Sequence, residues 1–107
     1  MSQISTHVLD TSIGRPAPGV TVELSMADRM VASGVTDADG RLMTLGPDRL
    51  EPGTYRLRFE TGEYFRQAGR ETFYPSISID FSIGDPEEHF HVPVLISPFG
   101  FSTYRGS

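Results

Sequence analysis

His89 and His91 stand two residues apart in HFHVPVLIS, and His7 stands in ISTHVLD; the 107-residue sequence contains no other histidine. Imidazole is the side chain whose unperturbed pKa allows proton exchange near neutral pH. Two imidazoles facing one bound molecule can serve as base and acid, and three gathered together can instead bind zinc. Arg41, directly after TDADG, adds a planar fork of donors suited to a flat or anionic group. Each feature also has a plainer reading: a solvent-exposed histidine, or a basic residue just beyond a tight turn. Which one holds depends on the elements that carry these residues.

Composition removes several other chemistries. With no cysteine, disulfides, thiolate catalysis and zinc-thiolate sites are excluded. The formal charge of -5 argues against a phosphate-contacting surface, so no nucleic-acid partner is expected. DADG opens like a calcium loop, but the later acidic ligands of an EF-hand are missing. GxSxG, a Walker phosphate loop and GxGxxG are absent too, leaving triphosphate and nicotinamide chemistry without support. The beginning, MSQISTHVLDTSIG, has no basic and apolar leader, and no stretch has the 18 or so apolar residues of a membrane span. A soluble cytoplasmic protein with no membrane partner is the expectation.

The periodicity is that of strands. In VTVELSM, Val20, Val22, Leu24 and Met26 share one face. In TYRLRFE, Tyr55, Leu57 and Phe59 oppose Arg56, Arg58 and Glu60, and SISIDFSIG sets Ile77, Ile79, Phe81 and Ile83 against serines and Asp80. Turn signals separate these runs at 13–19, 37–40, 46–53 and 84–86. Strands are predicted near 4–10, 20–27, 30–36, 41–44, 54–60, 76–83, 89–97 and 101–105. TGEYFRQAG, 61–69, reads as one short helix with Thr61 as its cap. One domain, 1–107, built as an all-β two-sheet sandwich or small barrel, follows.

Strand parity then orients the candidate residues. Phe90, Val92, Val94 and Ile96 form the core face of 89–97, which turns His89, His91, Pro93 and Leu95 the other way. Pro93 suggests an edge strand or a bulge. Ile4 and Val8 suit the core, so Ser5, His7 and Leu9 face outward. At the end, Phe99, Phe101 and Thr103 take the inward parity, with Ser102 and Tyr104 outward. An outward face that mixes leucines with histidines and a tyrosine is too apolar for ordinary wetted surface, and is expected to be a contact face or a groove wall.

HVLDTSIGRPAPG, TDADGR and HFHVPVLISPFGFSTYRGS, with their spacing, resemble the transthyretin-like family over essentially the whole chain, and within it the 5-hydroxyisourate hydrolases of urate degradation. Transthyretin is similar around LISPFGFST but lacks the histidine of HVLD and the Tyr-Arg-Gly-Ser ending. The resemblance implies a prealbumin-type sandwich of two four-stranded sheets with one short helix. It also implies a homotetramer whose sites lie in a channel between dimers. It assigns His7, Arg41 and His91 as the catalytic set, with Tyr104, Arg105, Gly106 and Ser107 closing the pocket and His89 as a candidate wall residue. The last residues, which otherwise look like a frayed end, become part of a site. The sequence departs from the family at Phe99 and Phe101, where tyrosine is usual.

The activity implied is hydrolysis of a small oxidised purine at a lactam-like carbonyl, with no cofactor and no metal. His7 and His91 would position and deprotonate water, and Arg41 would hold the heterocycle and counter developing charge. Two other readings remain open: a non-catalytic carrier using the same channel, and an accessory sandwich module of the kind in which TDADGR-like turns recur.

Overall fold

A computed structural model of the chain describes residues 3–85 and 87–107; Pro86, in the expected 84–86 turn, lies outside them. The strands are β1 (Ile4–Asp10), β2 (Arg15–Pro16), β3 (Thr21–Met26), β4 (Arg29–Val35), β5 (Arg41–Leu45), β6 (Gly53–Phe59), β7 (Ile77–Ile83), β8 (Phe90–Ser97) and β9 (Gly100–Thr103). One helix, α1 (Thr61–Gln67), joins β6 to β7. Among the described residues no helix is long and apolar enough to cross a membrane.

Two sheets face each other. The first runs β2-β1-β8-β9, with β5 also paired to β1, and the second runs β4-β3-β6-β7. The two-residue β2 makes the first sheet five-stranded where four strands were expected; Pro16 pairs with Leu9, and Arg15 with Asp10. Alternation fills the space between the sheets. Ile4, Val8, Val94 and Ile96 from one sheet and Val22, Leu24, Leu57 and Phe59 from the other are all fully buried, each such side chain contributing roughly 1.5–3 kcal/mol. β1 and β8 are therefore firmly anchored, and those two strands carry all three histidines or lie next to them.

Four local expectations change. Thr61 does not cap α1: Glu60 takes the N-cap position without a side-chain bond, and the buried Thr61 hydroxyl has no partner among the described residues. β8 is no edge strand, since it pairs parallel with β1 and antiparallel with β9. Pro93 falls instead where the β8–β9 ladder is interrupted. Pairing runs from Val94 to Ser97 and recurs only at His91 with Gly106, because a ring without an N–H cannot supply the missing rung.

Phe99 and Phe101 do not pack inward. Phe99 sits in the β8–β9 turn and is 69% exposed. Phe101 has the inward parity, opposite Ile96, but β9 ends the sheet and leaves it 43% exposed. Its ring instead meets Tyr74 edge to face at 5.3 Å.

At one end of the sandwich, helix and sheet are tied by a buried carboxylate. Asp10, the last residue of β1, is fully buried. It accepts hydrogen bonds from the Tyr64 hydroxyl at 2.8 Å, from the Ser12 backbone at 3.1 Å, and from Ser12 Oγ and Arg70. Burial pushes the Asp10 carboxyl up, but the bonds from Ser12, Arg70 and Tyr64 and the Arg70 charge outweigh it and hold it below its ordinary value.

Candidate active site

The register of three adjacent strands assembles the site on the outer face of the first sheet. His7 on β1 lies directly opposite Arg41 on β5. On the other side of β1, Ser5 lies opposite His91, and His7 opposite Pro93, on β8. Paired residues share a face and alternate residues repeat it. His7, Arg41, His91 and Ser5 therefore project from the same side, with the core on the other.

His7 is held by the turn before β5. Asp37 Oδ1 accepts the backbone N–H groups of Asp39 at 2.9 Å and Arg41 at 3.0 Å. Hydrogen bonding from the Arg41 backbone, then from Asp39, with the charges of Arg41 and His7, keeps this carboxyl below its usual range despite some desolvation. The turn needs Gly40: its φ is +73°, and a Cβ there would stand 2.4 Å from the Val8 carbonyl oxygen. So positioned, the Asp39 carbonyl accepts a hydrogen bond from His7 Nε2 at 2.9 Å. A carbonyl only accepts, so Nε2 carries the proton and the free lone pair of neutral His7 is on Nδ1.

His91 is half-buried, and its Nδ1 lies 2.8 Å from Ser5 Oγ. The same hydroxyl lies 2.9 Å from Nε2 of His89, whose residue is exposed just before β8. His91 is left with Nε2 for chemistry. Burial first, then the charges of His7, His89 and Arg41, outweigh a bond to Ser5 and lower its pKa below the ordinary 6.5. At neutral pH its ring is the uncharged form, able to take a proton.

Arg41 differs from most of the arginines. Arg49, Arg56, Arg58, Arg66, Arg70 and Arg105 each pair with a carboxylate. The exposed Arg41 side chain pairs with none among the described residues, which leaves its donors free beside His7.

The final segment closes one side. Gly106 N–H donates to the His91 carbonyl at 2.8 Å, and Tyr104 and Ser107 are exposed alongside. Arg105 is held by two neighbours of its own. The β8–β9 register gives it the inward parity, where it pairs with Glu88 at 2.7 Å and lies over the Phe90 ring, 4.8 Å from its centroid. A cavity of about 340 Å³ adjoins this edge, walled by Ile79, Phe81, Phe90, His91, Tyr104 and Arg105. A wider cleft of about 690 Å³ beside α1, lined by Glu63, Arg66 and Arg70 among others, contains no histidine.

Among the described residues, no cluster of three or more histidine, aspartate or glutamate side chains is placed to hold a metal ion. Ser5 is the residue that sequence reasoning passed over. Parity already set it on the face of His7, but only the pairing of β1 with β8 shows that one hydroxyl reaches two imidazoles.

Residues 4–106 match the model of the HIUase/Transthyretin family. A 5-hydroxyisourate hydrolase of Salmonella typhimurium is 45% identical over 109 residues, covering 97% of this chain and 80% of that protein. Among solved structures, a 5-hydroxyisourate hydrolase of Klebsiella pneumoniae is 50% identical with a TM-score of 0.92, covering 100% of this chain and 94% of that one. Sea bream transthyretin in complex with thyroxine is 29% identical with a TM-score of 0.90, covering 97% of this chain and 94% of that one.

Proposed function

The chain belongs to the HIUase/Transthyretin family, and from that membership and the geometry above we propose that it hydrolyses 5-hydroxyisourate in urate degradation. The product is 2-oxo-4-hydroxy-4-carboxy-5-ureidoimidazoline. The carrying observation is the hydrogen bond from His7 Nε2 to Asp39. It leaves a free Nδ1 on the same sheet face as His91 and the uncommitted guanidinium of Arg41.

Water is held between His7 Nδ1 and His91 Nε2. Uncharged His91 takes one proton as the water oxygen bonds to the ring carbonyl carbon. Negative charge develops on the carbonyl oxygen, and Arg41 stabilises it while its fork holds the planar ring. The intermediate collapses by breaking the ring C–N bond. The electron pair goes to nitrogen, which takes the proton from His91, and a carboxylic acid is left that ionises in water. The carbonyl of this oxidised purine is already electrophilic, so the sequence of steps uses no cofactor.

Tyr104, Gly106 and Ser107 form the pocket wall, and Arg105 anchors that segment through Glu88 and Phe90. Half-buried Leu9 and Leu95 on the histidine face and the open sheet edges at β7 and β9 support a homotetramer, with edge-paired dimers enclosing the sites between them.

The test is the absorbance decay of freshly generated 5-hydroxyisourate. Acceleration in proportion to protein is expected, with alanine at His7, Arg41 or His91 abolishing most of it while the assembly persists. No acceleration by the wild type would favour a ligand carrier, and near-normal turnover in all three variants would overturn the residue assignment.

A further inference from the structure

The Ser5 hydroxyl lies within hydrogen-bonding distance of two histidine nitrogens at once, Nδ1 of His91 at 2.8 Å and Nε2 of His89 at 2.9 Å. Ser5 is fully buried, so no water competes freely for it. A serine hydroxyl has one proton to give, and its lone pairs accept. Its oxygen has no other bonding partner among the described residues, so its own proton goes to one imidazole and a lone pair accepts from the other. The two rings are thereby coupled: when Ser5 donates to His89, His91 must present Nδ1–H, and its Nε2 is a bare lone pair. When His89 is the donor, Ser5 donates to His91 Nδ1, and His91 must carry its proton on Nε2.

We propose that Ser5 is a positioning residue that relays a proton between His91, at the reacting water, and His89, at the protein surface. The inference rests on His91 acting as the base. In the starting arrangement, His91 Nδ1–H donates to Ser5, and Ser5 O–H donates to His89 Nε2. As water gives its proton to His91 Nε2, the Nδ1 proton moves to Ser5 Oγ, and the Ser5 proton moves to His89 Nε2. His91 is again neutral, now as the Nε2–H form, and the positive charge rests on exposed His89. His91 and Ser5 each give one proton and take one, so the single proton lost by water is the one gained by His89. The charge has moved away from His7 and Arg41, whose positive fields disfavour an imidazolium at His91.

When the ring nitrogen leaves, His91 Nε2–H protonates it and the relay runs backward. The exposed His89, whose sequence context alone suggests no more than a wall residue or a wetted side chain, becomes the outer end of the relay.

A double-mutant cycle tests this with Ser5→Ala, His89→Ala and the pair, each checked for folding by circular dichroism. Each single change is expected to lower kcat about tenfold or more, within the contribution positioned proton transfer makes, with KM within about twofold. The double variant should be no slower than the worse single one, because both changes break the same chain. Nitrogen-15 NMR of the imidazoles gives a second readout. In the wild type, titrating His89 should drive neutral His91 to its Nε2–H form, and in Ser5→Ala it should not.

Full kcat in His89→Ala would overturn the relay, and this exposed position keeps the test decisive even if Ser5→Ala folds poorly. Multiplicative losses in the double variant, or a His91 tautomer indifferent to His89, would overturn it equally. If His91→Ala also retained full turnover, the active-site assignment itself would be at fault. An inactive His91→Ala beside fully active Ser5 and His89 variants would remove the relay alone.

Discussion

Gly106 lies against the imidazole of His91 so closely that no side chain fits between them: a Cβ on Gly106 would stand 2.6 Å from His91 Cδ2 and 3.2 Å from Pro93 Cγ. Its N–H is bonded to the His91 carbonyl, so the segment cannot simply lift away. Gly106→Ala must therefore rotate the ring or break the bridge. We expect kcat/KM to fall up to about a hundredfold, the scale of an ångström-sized misplacement, with little change in thermal stability because the segment lies outside the core. Wild-type kcat/KM would show that the ring has slack.

Asp37 acts on His7 through the turn, since one carboxylate oxygen gathers the N–H groups of Asp39 and Arg41 and thereby aims the Asp39 carbonyl. Asp37→Ala removes that acceptor, and kcat/KM is expected to drop about tenfold as His7 loses its fixed tautomer. Asp37→Asn keeps a side-chain oxygen and should recover most of the loss. Steady-state kinetics on the two variants decides it; equal losses would mean that charge, and not turn geometry, matters.

The depressed pKa of His91 shows once His91 is uncoupled from His89. Protonation destroys the base, and burial with the neighbouring charges of His7 on β1, Arg41 on β5 and His89 disfavours that protonation. NMR titration should place the His91 midpoint below the ordinary histidine value of about 6.5. In Ser5→Ala, which breaks the link to His89, the residual kcat/KM should persist as pH falls through that value and be lost at the His91 midpoint, and a loss above that midpoint in this variant would contradict the assignment of His91 as base.

Tyr64 and Asp10 contribute to stability at opposite ends of the pH scale. Tyr64 is pushed up to about 12, first by burial and then by its bond to Asp10. Its contribution is whole below the unfolded tyrosine value of about 10 and is lost as pH rises from there through 12. Asp10 is lowered, so its contribution is present above about 3.9 and is lost as pH falls through the folded value. Tyr64→Phe leaves a buried carboxylate one donor short and should cost about 1–3 kcal/mol at pH 7, while flattening the alkaline decline. Urea unfolding across pH would show both effects.

The strands other than β2 are legible in the sequence, because a period of two in apolar residues has only one way to bury itself; the faces of VTVELSM, TYRLRFE and FHVPVLI appear as read. The sequence also determined that His7 and His91 turn from the core, since parity follows once one face is apolar. What it could not contain is pairing between distant strands. Phe101 keeps its inward parity yet stays half-open, because exposure depends on whether another strand lies beyond β9. Pro93 reads as an edge or bulge signal because a missing N–H shows in sequence, and the interruption of the β8–β9 ladder that accommodates it depends on the partner strand.

Within the site, residue types were legible and their hydrogen-bond roles were not. Arg41 becomes the neighbour of His7 only through the antiparallel register of β1 and β5. Ser5 becomes a bridge only because parallel pairing of β1 with β8 brings it beside His91, 86 residues away. Sequence carries local periodicity; tertiary structure alone decides which nitrogen is free, because that depends on the atom facing the other side of the ring.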